Sequence, residues 1–231
     1  MPPIRITLQA KLAAGLHILG PGRTVALVDR AIEVDAQGFP LIPASSIRGR
    51  VRAHLERLLR AWGQPVCTPP APERMCPHAW NQDEGPPAGY CQACRIFGSP
   101  WYPAAIINTD LRLVDSQRTA GPDFLRTERM SLGISRRLGT AQGERLFSTE
   151  ATVRDLDARP LCFEGLISGR LTPIEAGWLL AALQLVTHAG GNKARGLGEL
   201  CVSATEVTWW QDGQWVATDG RPMIEEVLSD A

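Results

Sequence analysis

The sequence predicts an α+β fold built on one antiparallel sheet, with 1–231 as a single domain. Two observations predict it. Four stretches read as strands, at 4–12, 106–115, 161–171 and 199–210, and two carry apolar residues at helical spacing, at 45–62 and 173–186. Their order is strand, helix, strand, excursion, strand, helix, strand. That is the β-α-β-β-α-β layout called ferredoxin-like, which RNA-recognition modules share.

The elements follow from local chemistry. IRITLQAKL (4–12) alternates apolar and polar residues, as a half-buried strand does. Residues 15–44 are loop-like, opening on GLHILGPG and closing on GFPLIPA. In the next helix Ile47, Val51, Leu55, Leu58, Leu59 and Trp62 share a face, and Ser45 or Ser46 can cap it. Arg48 and Arg52 fall off that apolar stripe, and Gly49 in the first turn suggests a close approach. Residues 63–103, rich in Pro, Cys and Gly, read as an insertion. A second insertion, 116–149, holds six arginines and few apolar residues. Thr172-Pro173-Ile174-Glu175 matches a capping box with proline at the first helical position. AGGNKARGLGEL (189–200) follows that helix, and Asp212-Gly213 predicts a hairpin turn into QWVAT.

Composition narrows the function classes. With 44% hydrophobic and 21% charged residues, the chain is ordinary for a soluble globular protein. No apolar run suits a membrane span or a signal peptide, so a cytoplasmic protein without a membrane partner is expected. The formal net charge is zero, but Arg48, Arg50, Arg52, Arg57 and Arg60 stand against Glu56 alone in 45–62. In 199–231 seven acids stand against Arg221. One face can therefore meet a polyanion. Of 24 basic residues, only Lys11 and Lys193 are lysine, which suits bidentate phosphate contacts and also reflects a composition rich in Ala, Gly and Pro.

Four of the six cysteines fall at Cys67, Cys76, Cys91 and Cys94. In a reducing compartment this pattern points to structural zinc, with His78 as an alternative ligand to Cys76. Unligated cysteines and a redox CxxC are the competing readings. Cys162 and Cys201 lie in predicted strands as core residues. The glycine-rich loop has neither the Walker order nor GxGxxG. It reads either as a helix stop or as a turn presenting backbone amides, Lys193 and Arg195 to a nucleic-acid backbone.

Five segments, in order, carry a family resemblance. They are GLHILG (15–20), FPLIPASSIRGRVRAHLERLL (39–59), CQACRIFGS (91–99), ERMSLGISRRLGTAQGERLFSTE (128–150) and GGNKARGLGEL (190–200). Together they resemble the RAMP superfamily of CRISPR proteins, and most closely the backbone subunit of type III effector complexes.

Beside the insertion 63–103, read as zinc-bearing from its cysteines, that resemblance implies a thumb β-hairpin and a subunit that polymerises with its own copies and other effector subunits along a guide RNA. It places Ser45, Ser46, Arg48, Arg50, Arg52, Lys193 and Arg195 against the guide, and gives His17 either a guide-binding or a structural role. Arg129, Arg136 and Arg137 fall on the thumb, which enters the duplex of guide and complementary target RNA. Asp29 matches the family's catalytic aspartate, which with magnesium or manganese directs attack of a 2′-hydroxyl on the adjacent phosphate. Asp35 matches a second acid nearer the Ile-Pro segment. The alternatives are a non-catalytic guide-RNA scaffold, a guide-precursor nuclease and a zinc-bearing structural protein.

Overall fold

The computed structural model describes residues 1–20, 28–80, 86 and 89–229. β1 (Pro3–Leu12) occupies the middle of the sheet. Its alternation is read out directly: Ile4, Ile6, Leu8, Ala10 and Leu12 are buried, while Arg5 and Lys11 are exposed on the opposite face. β1 pairs antiparallel with β10 (Leu200–Gln211) on one side and β9 (Cys162–Arg170) on the other. The sheet order is β11-β10-β1-β9-β4-β2, with β11 spanning Gln214–Ala217, β4 Leu111–Leu113 and β2 Leu41–Ile42. β3 (Ile106–Asn108) also pairs with β9. The predicted ferredoxin-like order is thus present, and a small β7 (Asp155–Leu156)–β8 (Arg159–Pro160) ladder precedes β9.

α1 (Ala44–Ala61) buries Ile47, Val51, Leu55 and Leu59, each worth ~1.5–3 kcal/mol relative to exposure. Its N-terminus corrects an expectation. Neither Ser45 nor Ser46 caps the helix; Pro43 holds the cap position without a side-chain bond. The Ala44 amide donates instead to Asp110 Oδ1 at 2.8 Å. The same residue explains why 106–115 is two short strands, since β3 and β4 are interrupted at Thr109 and Asp110. Thr109 Oγ1 accepts from the Leu166 amide there, at 2.8 Å.

α3 (Pro173–Gln184) carries the predicted capping box, Glu175 N donating to Thr172 Oγ1 and Thr172 N to Glu175 Oε2. It is apolar all round because α4 (Arg221–Ser229) covers its outer side with Met223 and Val227. The hairpin turn lies at Asp212 and Gly213, both at positive φ, as predicted.

The remaining elements lie off the sheet. α2 (Gln92–Phe97) belongs to the cysteine-rich insertion and packs on α1 and α3. β5 (Arg126–Ile134) and β6 (Ala141–Thr152) form a separate two-stranded hairpin within the arginine-rich excursion.

Asp110→Ala is expected to lower stability by about 1 kcal/mol, the usual worth of a cap. Ser45→Ala is expected to leave the urea midpoint unchanged. An unchanged midpoint for Asp110→Ala contradicts the capping role.

Candidate nucleic-acid interface

Four segments distant in sequence meet where β1 ends. The turn after β1 reaches the glycine-rich loop through Gly198 N to Gly15 O and Gly191 N to His17 O, both 2.8 Å. It reaches the root of β6 through Leu16 N to Thr152 Oγ1 (2.9 Å) and Thr152 N to Leu16 O (2.8 Å). Residues 28–35 join from the other side, with Glu33 N donating to Ile18 O at 2.8 Å and Glu150 N to Arg30 O at 3.0 Å. The glycines are a consequence. A Cβ on Gly190 would lie 2.2 Å from His17 O, and one on Gly198 would lie 2.1 Å from Ala189 O. Both also hold positive φ.

His17 is buried at this junction, and its Nδ1–H donates to the Glu150 carbonyl at 2.7 Å. Lys193 and Arg195 sit on a short 3₁₀ turn between Asn192 and Gly196, both in the left-handed region. Lys193 is half-buried and Arg195 exposed, and among the described residues neither forms an ion pair. Two cations, without an ion pair among the described residues, thus stand on a backbone that is itself fixed.

Asp29 is exposed and held by reciprocal bonds to the root of the hairpin. The Ser148 amide donates to Asp29 Oδ2 at 2.8 Å, and the Asp29 amide donates to Ser148 Oγ at 3.1 Å. Asp35 is differently placed. Its Oδ1 accepts from the Gln37 and Phe39 amides at 3.0 and 2.9 Å, and its Oδ2 pairs with Arg118 at 2.9 Å. Asp35 therefore shapes the 35–39 turn, while Asp29 presents a carboxylate to solvent. Among the described residues, the four cysteines are the one cluster of three or more His, Cys, Asp or Glu able to hold a metal ion. Asp29 alone does not amount to a protein-built magnesium or manganese site.

On α1, Ser45 is exposed, Ser46 half-buried, and a Cβ at Gly49 would meet no atom within 4 Å. The approach expected at Gly49 is thus not made by this chain. Arg50 keeps its charge toward His54, which is pushed below its ordinary pKa first by burial and then by Arg57 and Arg50. Arg48 and Arg52 turn inward. Arg48 donates to the carbonyls of Phe97 and Ile106, and Arg52 to Gly98 O at 2.9 Å and Glu56 at 3.0 Å.

Arg129, Arg136 and Arg137 lie exposed along β5 and its turn, with Arg129 opposite Thr149 in the ladder, next to the Ser148 that holds Asp29. The hairpin carries another feature that the sequence reading missed. Met130, Leu132, Ile134 and Leu146 are all more than half exposed, and Leu132 faces Leu146 across the ladder. Met130-x-Leu132-x-Ile134 was the signal for it, an alternation on a hairpin with no core to face.

The cysteine insertion brings Cys67, Cys76, Cys91 and Cys94 together, all buried, with their Sγ atoms within 4.8 Å of one another. The Cys67–Cys94 and Cys67–Cys91 separations are 3.5 and 3.9 Å. Tetrahedral zinc with bonds of about 2.3 Å needs edges of about 3.8 Å, so the donor set fits. Hydrogen bonds from Cys67 and Cys94 hold the Cys91 thiol far below its ordinary range, and the bond to Cys91 pushes Cys67 up to about 11. Cys94 is likewise pushed up, by its bonds to Cys67 and Cys91. His78 stands apart from this group: it is exposed and meets Trp101 edge-on at 4.7 Å, while Cys76 is buried among the other three cysteines.

No helix among the described residues is long and apolar enough to cross a membrane. No curated protein matches the chain. The family model of the RAMP superfamily matches residues 16–201, from the first glycine turn through the glycine-rich loop into β10. With that match covering most of its length, over the ferredoxin-like sheet and the two glycine-bearing turns locked together, the chain belongs to the RAMP superfamily of CRISPR-associated proteins.

Proposed function

We propose that this chain is a guide-RNA-binding backbone subunit of a type III CRISPR effector, one that cleaves the complementary target RNA through Asp29. The observation that carries this reading is the position of Asp29. It is exposed, it is fixed by the Ser148 amide, and it sits at the root of a hairpin whose outer residues are apolar and cationic. Guide contacts are assigned to Ser45, Ser46 and Arg50 at the start of α1 and to Lys193 and Arg195 on the glycine-rich turn. Backbone amides and cations at such places suit phosphate oxygens. Arg129, Arg136 and Arg137 are assigned to the target duplex, beside the aliphatic strip of Met130, Leu132 and Ile134.

The reaction needs no covalent bond to the protein. The Asp29 carboxylate orients the 2′-hydroxyl of the flipped-out nucleotide and accepts its proton. The 2′-oxygen bonds to the adjacent phosphorus, and the bond to the 5′-oxygen breaks, leaving a cyclic phosphate and a 5′-hydroxyl that takes a proton from water. Such general-base action contributes roughly 10²- to 10⁴-fold. Among the described residues no three acids or histidines gather at Asp29 to hold magnesium or manganese, so the step stands on the carboxylate itself. The second reading is a guide-RNA scaffold without cleavage, favoured by the same lack of a three-ligand acid cluster among the described residues.

Guide-loaded wild type is expected to cut a labelled complementary RNA, and Asp29→Ala to slow cutting by roughly 10²- to 10⁴-fold with loading unchanged. An uncut target from loaded wild type selects the scaffold. Arg50→Glu together with Arg195→Glu should weaken guide binding and flatten its salt dependence, by about 0.7 in log–log slope for each phosphate no longer held. An unchanged slope in fluorescence anisotropy refutes the assigned guide face. For the cysteine cluster, one zinc per chain is expected by elemental analysis, abolished by Cys91→Ser and retained by His78→Ala. Retention of full zinc by Cys91→Ser contradicts the ligand set.

A further inference from the structure

α1 carries a second periodic pattern beside its apolar stripe: Arg48, Arg52, Glu56 and Arg60, each four residues from the next. Residues so spaced share one face of a helix. Their contacts run to the cysteine insertion. Arg48 reaches Phe97 O, Arg52 reaches Gly98 O, and Arg60 Nη2 donates to Cys67 O at 3.2 Å. Glu56 sits between the two cations, 3.0 Å from Arg52 and 3.8 Å from Arg60. Of these four, Arg52 is the one that also touches a sulfur: its Nη2 donates to Cys94 Sγ at 3.7 Å.

Four thiolates around one zinc leave roughly two negative charges in a buried site. Two neutral donors serve Cys76, the Trp80 indole at 3.1 Å and the Cys91 amide at 3.3 Å. Cys94 faces a full positive charge. Burial makes that placement consequential, because water does not screen the pair as it would at the surface.

We propose that Arg52 is a positioning residue of the cysteine-bound metal. It offsets the thiolate charge at Cys94 while fixing α2, which bears Cys94 and follows directly on Cys91, to the helix that presents Ser45, Ser46 and Arg50. This rests on reading the cluster as a zinc centre. The arginine ladder of α1 then binds the insertion rather than RNA, and metal loading sets the pose of the first turns of α1 without the metal touching nucleic acid.

The test is zinc release from the full-length zinc-loaded chain to a chromogenic chelator. It is run alongside cobalt substitution, whose thiolate-to-metal absorption reports on the sulfurs directly. Arg52→Gln is expected to release zinc about 10- to 100-fold faster and to shift the cobalt spectrum. Arg48→Gln, which removes carbonyl bonds but no sulfur contact, is expected to release zinc near the wild-type rate. Arg52→Lys keeps the cation and is expected to come within a few-fold of wild type, which also serves if the glutamine variant folds poorly by circular dichroism. Release at the wild-type rate from Arg52→Gln overturns the inference and leaves the zinc reading standing. So does equal acceleration by Arg48→Gln, or release from Arg52→Lys as fast as from Arg52→Gln, either of which reduces Arg52 to packing. A wild-type chain that retains no zinc overturns both.

Discussion

The arrangement at the end of the sheet depends on one close approach, that of Gly190 to the carbonyl of His17. No side chain fits between these two backbones. Their contact lets the turn after β1 and the turn after α3 share hydrogen bonds as neighbouring strands do. Once they are joined, the His17 ring is committed to Glu150 O, and that bond in turn fixes the root of the hairpin. The loop bearing Asp29 then has a rigid partner to dock on. Glycines far along the chain from the first turn thus set where a carboxylate stands, a link that runs through backbone approach and the His17 hydrogen bond.

α1 shows how one helix serves three neighbours. One face of Ile47, Val51, Leu55 and Leu59 builds the core. A second, of arginines and Glu56, holds the cysteine insertion. What is left, around Ser45, Gly49 and Arg50, faces neither body, and its cation adds, after burial and Arg57, to the lowering of the His54 pKa. Even residues with the same side chain divide by phase: Arg50 lies two positions from Arg48 and Arg52, roughly opposite them on the helix, and it keeps the free charge. Likewise α3 tolerates an apolar surface all round because α4 closes over it.

The order of strands and helices was legible because it rests on periods of two and 3.6 residues, which survive in any sequence that buries one face. So was the Thr172 box, whose four residues are contiguous. Asp110 was not legible, since it caps a helix 66 residues away by a contact that no local pattern records. The cysteine spacing named the donors but left Cys76 and His78 tied, and the burial of one and the exposure of the other separate them. The arginine ladder was visible as spacing, yet spacing does not tell which body lies opposite a face. The hairpin strip is aliphatic where base stacking usually calls for aromatic side chains, so its alternation carried no signal of a nucleic-acid surface. Asp29 and Asp35 are both acids in one loop, and their different hydrogen bonding exists only in the folded chain.

The Asp29 carboxylate is gripped by a main-chain amide of Ser148. A main-chain donor is supplied by every residue type except proline. The sequence at the root of β6 can therefore drift widely while the acid keeps its anchor, and only a proline or a one-residue slip of the strand takes the donor away. Comparison of side chains at that position would register the hydroxyl that accepts the Asp29 amide, and would miss the main-chain donor that holds the carboxylate. The durable element is the register of a strand.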